Sequence, residues 1–154
     1  MTAQRDKLLA EFIAGPERVR AALGDLVGRA LDQPGDGGWT IREVLVHLAD
    51  AEILRATRLR LILGGEDVVL PIFDENEWHD RLGYGERDPR VALATYEATV
   101  VASHELLLVE GASGWMRSGL HPEDGPLSVR ELVARGVTHA DDHVRQIADI
   151  AATL

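Results

Sequence analysis

Apolar residues recur every three or four positions in four separate stretches of this chain, and that period restricts the fold to helices packed face against face. The first stretch, from about Ala3 to Ala30, carries Leu8, Leu9, Phe12, Ile13, Val19, Leu23, Leu26 and Val27 on one side. Gly15-Pro16 interrupts it. Pro16 has no backbone N–H, so the segment is expected to kink or to divide into two helices. The run from Pro34 to Gly38 reads as a loop.

The second stretch has a well-marked start, because Thr40 and Glu43 form a capping box and Trp39 can staple onto Val44. Its apolar face runs through Val44, Leu45, Leu48, Ala51, Leu54, Leu59 and Leu63 to Gly64-Gly65, where the helix should end. From Gly64 to Asp88 the long period is lost, and only a short helix around Glu75 to Leu82 is expected. Asp88 as N-cap and Pro89 at the first helical position then open a third helix that reaches about Glu110. Gly111 to Pro126, rich in Gly and Pro, reads as loop. Ser128 and Glu131 form a second capping box, with Leu127 and Leu132 as its staple, and the last helix runs on to the C-terminus.

Four long helices and no convincing strand predict an all-α, four-helix bundle, with 1–154 as a single domain. Some two dozen residues join helices two and three, enough at ~3.3 Å per extended residue to run the length of a bundle. That long crossover allows helices two and three to lie parallel, so the expected order is up-down-down-up.

Composition narrows the function. Acidic residues outnumber basic ones 26 to 16, giving a net charge of −10, which argues against phosphate backbones and anionic membrane surfaces as partners. No apolar run approaches the ~20 residues that cross a bilayer. The charged start MTAQRDKLLAEF does not look like a signal peptide, so a cytoplasmic location is expected. There is no cysteine, which leaves histidine and carboxylates as the strong metal ligands.

His139 and His143, four positions apart on a helix, lie on one face about a turn from each other. Gly136, Ala140, Ile147 and Ile150 share that face, so both imidazoles should project inward, where each nitrogen needs a partner. His47 shares the face of Val44, Leu48, Ala51 and Leu54 on helix two. Taken alone, a single histidine on such an apolar stripe reads as a core histidine bonded to a backbone carbonyl rather than as a ligand.

WTIREVLVHLADAE on helix two, together with THADDHVRQI on the last helix, resembles the DinB/YfiT-like superfamily. This is a DNA-damage-inducible metalloprotein family, distinct from the translesion polymerase of the same name. The resemblance extends over nearly the whole chain, including the intervening DENEWHDRLGYGERDP. It implies a four-helix bundle with a crossover loop, and metal ligands at His47, His139 and His143, with Gln146 one turn on as a supporting residue.

Three neutral ligands with an open position form a catalytic rather than a closed structural pattern. Zn, Ni or Fe as the divalent ion all suit imidazole. The resemblance further implies a small-molecule substrate, with an enzyme that activates a low-molecular-weight thiol or a water as one reading. A stress-associated, metal-binding bundle, assembled as a homodimer, is the non-catalytic alternative. A structural bundle that takes up metal only opportunistically is the third.

Glu43, Asp50, Glu52 and Asp142 stand close to these histidines but are expected to be solvated helix charges. His79, His104 and His121 are expected at the surface or rim, and Trp78 and Trp115 as packing anchors.

Overall fold

Gly15-Pro16 does divide the first segment. In the computed structural model, which describes residues 2–35 and 38–154, α1 (Thr2–Ile13) and α2 (Gly15–Leu23) follow one another across a single-residue break. Pro16 sits in the first turn of α2, where no N–H is needed. Gly15 is required by packing: a Cβ there would lie 2.9 Å from the Tyr96 hydroxyl. The helix stops earlier than the apolar period suggested. Gly24 and Gly28 both take left-handed backbone (φ 52° and 61°), and 24–32 continues as irregular chain and a 3-10 turn, Gly28–Asp32, in place of helix to Ala30. In the loop expected at Pro34–Gly38, Asp36 and Gly37 lie outside the described residues, and Gly35 N–H donates to the Trp39 carbonyl at 3.1 Å.

α3 (Ile41–Gly64) begins at the expected capping box: Thr40 Oγ1 accepts from Glu43 N–H at 3.2 Å, and Glu43 Oε2 accepts from Thr40 N–H at 2.8 Å. It is followed by α4 (Glu75–Arg81), α5 (Pro89–Val109) and α6 (Ala112–Met116). Two short strands, β1 (Ser118–His121) and β2 (Gly125–Ser128), precede α7 (Val129–Ala151), which opens on the Ser128–Glu131 capping box.

The long helices form a four-helix bundle in up-down-down-up order. Arg5 near the start of α1 donates to the Leu107 carbonyl near the end of α5, so these two helices run in opposite directions. Arg42, at the start of α3, donates to the Arg87 carbonyl just before α5, so α3 and α5 start at the same end. Arg117, just before α7, donates to the Leu63 carbonyl near the end of α3, and α7 therefore returns antiparallel to α3.

The crossover between α3 and α5 runs back along α3, as its length allowed. Leu70 N–H donates to the Leu120 carbonyl and Leu120 N–H to the Val68 carbonyl, tying the start of the crossover to β1. At its far end Tyr84 is fully buried and Arg87 holds Asp50 of α3 in a bidentate pair at 2.6 and 3.1 Å. Flanked by α5, α7, the crossover and the hairpin, α3 buries every residue from Val44 to Glu52.

The β1–β2 hairpin occupies part of the segment read as loop. Gly119 faces Leu127 in register, Gly125 supplies the left-handed turn, and a Cβ on Gly119 would press to 2.7 Å from Leu70. Four-residue strands containing Gly119 and Pro126 carry too little alternation to be recognised in sequence. No helix among the described residues is long and apolar enough to cross a membrane.

Candidate metal centre

The fold brings His47, from the first third of α3, against His139 and His143 of α7. His47 Nε2 lies 2.9 Å from His139 Nε2, and His143 Nε2 lies 3.2 Å from His139 Nε2. The ring centres are 4.5–5.0 Å apart, and one ligand atom from each residue falls within 4.8 Å of the others.

Protons cannot satisfy this arrangement. A ring nitrogen carries either one hydrogen or one in-plane lone pair, so His139 Nε2 cannot make linear hydrogen bonds to both neighbours. A cation can accept all three lone pairs. Two nitrogens bound at ~2.0–2.1 Å to a tetrahedral ion are about 3.3 Å apart, close to the observed separations.

The surroundings keep the imidazoles neutral and so available. Burial lowers the pKa of His47 from 6.5 to about 3, with His143 and Arg55 adding to the effect. Burial lowers that of His139 to about 2, reinforced by Arg55 and the other two histidines. His143 is also lowered by burial, although Gln146, Glu75 and Asp142 oppose the shift. His143 Nδ1 is 2.7 Å from Gln146 Oε1; the amide oxygen can only accept, so Nδ1 carries the hydrogen and Nε2 keeps its lone pair. His47 is 1% exposed, and its Nδ1 is buried with no hydrogen-bond partner among the described residues. Leaving such a group unpaired costs roughly 1–3 kcal/mol, a cost that a bond at Nε2 would offset.

The His47 ring is fixed by aromatic neighbours. Trp39 stands edge-on at 5.2 Å, with Phe73 and Tyr84 at 6.4 and 6.5 Å. Trp39 in turn stacks on His79 at 5.0 Å. His79, expected at the rim, is more engaged than that: its ring nitrogens lie 2.9 Å from Glu43 Oε1 and 2.9 Å from Asp80 Oδ1. The hydrogen bonds to these two carboxylates raise its pKa.

The four acidic residues set aside in the sequence are all occupied, though not as solvated charges throughout. Glu43 caps α3 and holds His79, Asp50 holds Arg87, and Asp142 pairs with Arg145. Glu52 is almost wholly buried, paired with Arg55, and burial raises its pKa. His121 is also buried rather than exposed; its Nδ1 accepts from the backbone of Glu123 and Asp124 in the hairpin turn. His104 is half-buried on α5, away from the cluster. Trp115 is buried, and Trp78 packs on Phe73 at 4.5 Å.

Phe73, Tyr84, Glu75 and Arg55 also stand beside the histidines, and none of them is expected there from the sequence. Glu75 Oε2 lies 4.0 Å from His47 Nε2. The only signal for it was the short helix expected in the crossover, which says nothing about where that helix lands.

The fold and this donor set define a four-helix bundle with three converging imidazoles that could hold a metal ion. The chain belongs to the DinB superfamily, whose family model matches residues 11–147. It is 26% identical over 150 residues to "Putative metal-dependent hydrolase YfiT" of Bacillus subtilis, covering 96% of this chain and 84% of that protein. A relative from Oceanobacillus iheyensis, also named as a putative metal-dependent hydrolase, is 29% identical over 136 residues, or 88% and 78% of the two chains. The solved structure of YfiT, described as a probable metal-dependent hydrolase with an unusual four-helix bundle topology, superposes with a TM-score of 0.91 at 25% identity, covering 99% of this chain and 89% of that one.

Proposed function

We propose that this protein is a metal-dependent hydrolase of small molecules, holding one divalent ion on Nε2 of His47, His139 and His143. The observation that carries the reading is the convergence of three neutral ring nitrogens at separations no proton arrangement can satisfy. The names of the relatives from Bacillus subtilis and Oceanobacillus iheyensis support it.

A divalent ion with three protein ligands and an open position supplies Lewis acidity and lowers the pKa of a water molecule toward ~7. The chain's own residues prepare that chemistry. Gln146 fixes the tautomer of His143, and burial keeps all three imidazoles deprotonated at neutral pH. Trp39, Phe73 and Tyr84 hold the His47 ring in place. Zn, Ni and Fe each suit an all-imidazole site. A low-molecular-weight thiol in place of water would make the same centre a transferase, and the product distinguishes the two.

The test is hydrolysis of a panel of activated esters and amides by protein loaded with Zn²⁺, Ni²⁺ or Fe²⁺, with and without small thiols. Turnover abolished by a chelator and restored by one of these ions, releasing the free acid, is the expected result. Thioester or thioether products formed only with added thiol would favour the transferase. Turnover that survives chelation and His143→Ala would overturn the reading.

A further inference from the structure

Among the acidic side chains near the three histidines, one is not tied to a cation. Glu43, Asp50, Glu52 and Asp142 are each taken up by a basic partner, whereas Glu75 makes no hydrogen bond and no Lys or Arg pair among the described residues. Helix capping does not employ it either. Glu75 is the first residue of α4, but Asp74 does the capping, with Oδ1 accepting from the N–H groups of Asn76 and Glu77 at 2.8 and 3.0 Å. The Glu75 carboxylate instead approaches His47, with Oε2 4.0 Å from Nε2. It stands outside the cluster of nitrogens within 4.8 Å of one another, so its place is beside the ligand set rather than in it.

Glu75 also borders open space. A groove of about 660 Å³ is lined by Phe73, Asp74, Glu75, Glu77, Trp78 and Glu123. Of these, Phe73 packs toward His47 at 6.4 Å between ring centres, and Glu75 brings its carboxylate to 4.0 Å from one ligand nitrogen, His47 Nε2. The three histidines do not line this groove, so Glu75 is its link to them, and a nucleophile arriving from it would meet the Glu75 carboxylate 4.0 Å from His47 Nε2.

We propose that Glu75 is the proton acceptor for the nucleophile at this centre; the inference rests on the metal-centre reading above. With water as nucleophile, an O–H proton passes to the Glu75 carboxylate while its electron pair stays on oxygen and forms the new bond to the substrate's electrophilic carbon. The bond from that carbon to the leaving group breaks, and the leaving atom keeps the electron pair. It then takes the proton from Glu75, which returns to the carboxylate.

The test needs no knowledge of the substrate. Co²⁺-loaded wild type, Glu75→Gln and, as a control in the same groove, Glu77→Gln are titrated with two small ligands and followed by visible absorption. Azide is already an anion at neutral pH, so a carboxylate at the open position repels it. Acetohydroxamic acid is neutral and must surrender a proton as it binds. Glu75→Gln is expected to take up Co²⁺ as wild type does, to bind azide roughly tenfold more tightly, and to bind acetohydroxamic acid roughly tenfold more weakly. Glu77→Gln is expected to leave both affinities within about twofold. Co²⁺ uptake with neither affinity changed, or with both changed in the same direction, overturns the role of Glu75 and leaves the metal centre standing. Failure of wild type itself to take up Co²⁺ overturns the metal centre and this inference with it.

Discussion

The Nδ1–H of His143 donates to Gln146 Oε1 at 2.7 Å, one turn further along the same helix. That bond selects the tautomer whose Nε2 lone pair faces His47 and His139, so a residue that touches no ion sets the donor geometry. Removing such a support typically weakens metal affinity by about 10–100-fold. Gln146→Leu, which keeps the size of the side chain and loses the acceptor, is expected to fall in that range in a competition titration with a chelator. Wild-type affinity in this variant would mean that the His143 ring is held by packing alone.

The lowered pKa values of the three histidines predict an acid-sensitive metal-free protein. Between the ordinary 6.5 and the folded values of about 3 for His47 and about 2 for His139, the unfolded chain binds protons that the folded chain does not. Stability contributed by these groups is therefore complete above about pH 6.5 and is lost progressively as the pH falls toward 3. His79 works in the opposite sense, because its pKa is raised by Asp80 and Glu43, and its contribution is lost as the pH rises. The comparison that isolates the cluster is chelator-treated wild type against His139→Gln in urea at pH 8, 6 and 4.5. The midpoint of the variant is expected to fall less steeply with acid.

Gly136 lies one turn before His139, and a Cβ there would come within 3.0 Å of both Cδ and Nε of Arg55. Arg55 is held against the buried Glu52, so it has little freedom to withdraw. Gly136→Ala is expected to cost roughly 1–3 kcal/mol in urea denaturation, as overpacking does, in spite of the better helix propensity of alanine. A stabilised variant would show that the Arg55 side chain can move aside freely.

Thr40 caps the helix that carries His47, and its hydroxyl is the acceptor for Glu43 N–H. Thr40→Ala is expected to lower stability by about 1 kcal/mol. Because Glu43 also holds His79, the same change should speed amide exchange in α4 more than in α5. Equal effects on the two helices would argue that the cap and the crossover are independent.

How much of this was legible in the sequence depended on whether the signal was local. The capping boxes at Thr40–Glu43 and Ser128–Glu131, the Gly15-Pro16 break and the Asp88-Pro89 start all act within a few residues, and all appear where the sequence placed them. The four-residue spacing of His139 and His143 is local in the same way. His47 joined them only through the resemblance to a family, since its own stripe fitted an ordinary core histidine. Asp50 and Glu52 are buried where a solvated helix face is expected from sequence, because α3 has neighbours on every side at that level. The early end of α2 reflects two glycines whose left-handed backbone is compatible with, but not demanded by, the sequence. Glu75 and Phe73 reach the site through the path of the crossover, which depends on the pairing of 68–70 with β1 and on the Asp50–Arg87 pair. Those are long-range contacts with no periodic signature.

The central claim is that His47, His139 and His143 hold a metal ion, and elemental analysis of protein purified without an affinity tag tests it most directly. About one transition-metal ion per chain is expected, retained through dialysis and lost in His47→Ala and His143→Ala while circular dichroism shows the helices intact. Wild-type protein that is metal-free as purified and takes up no added Zn²⁺, Ni²⁺ or Fe²⁺ would contradict it.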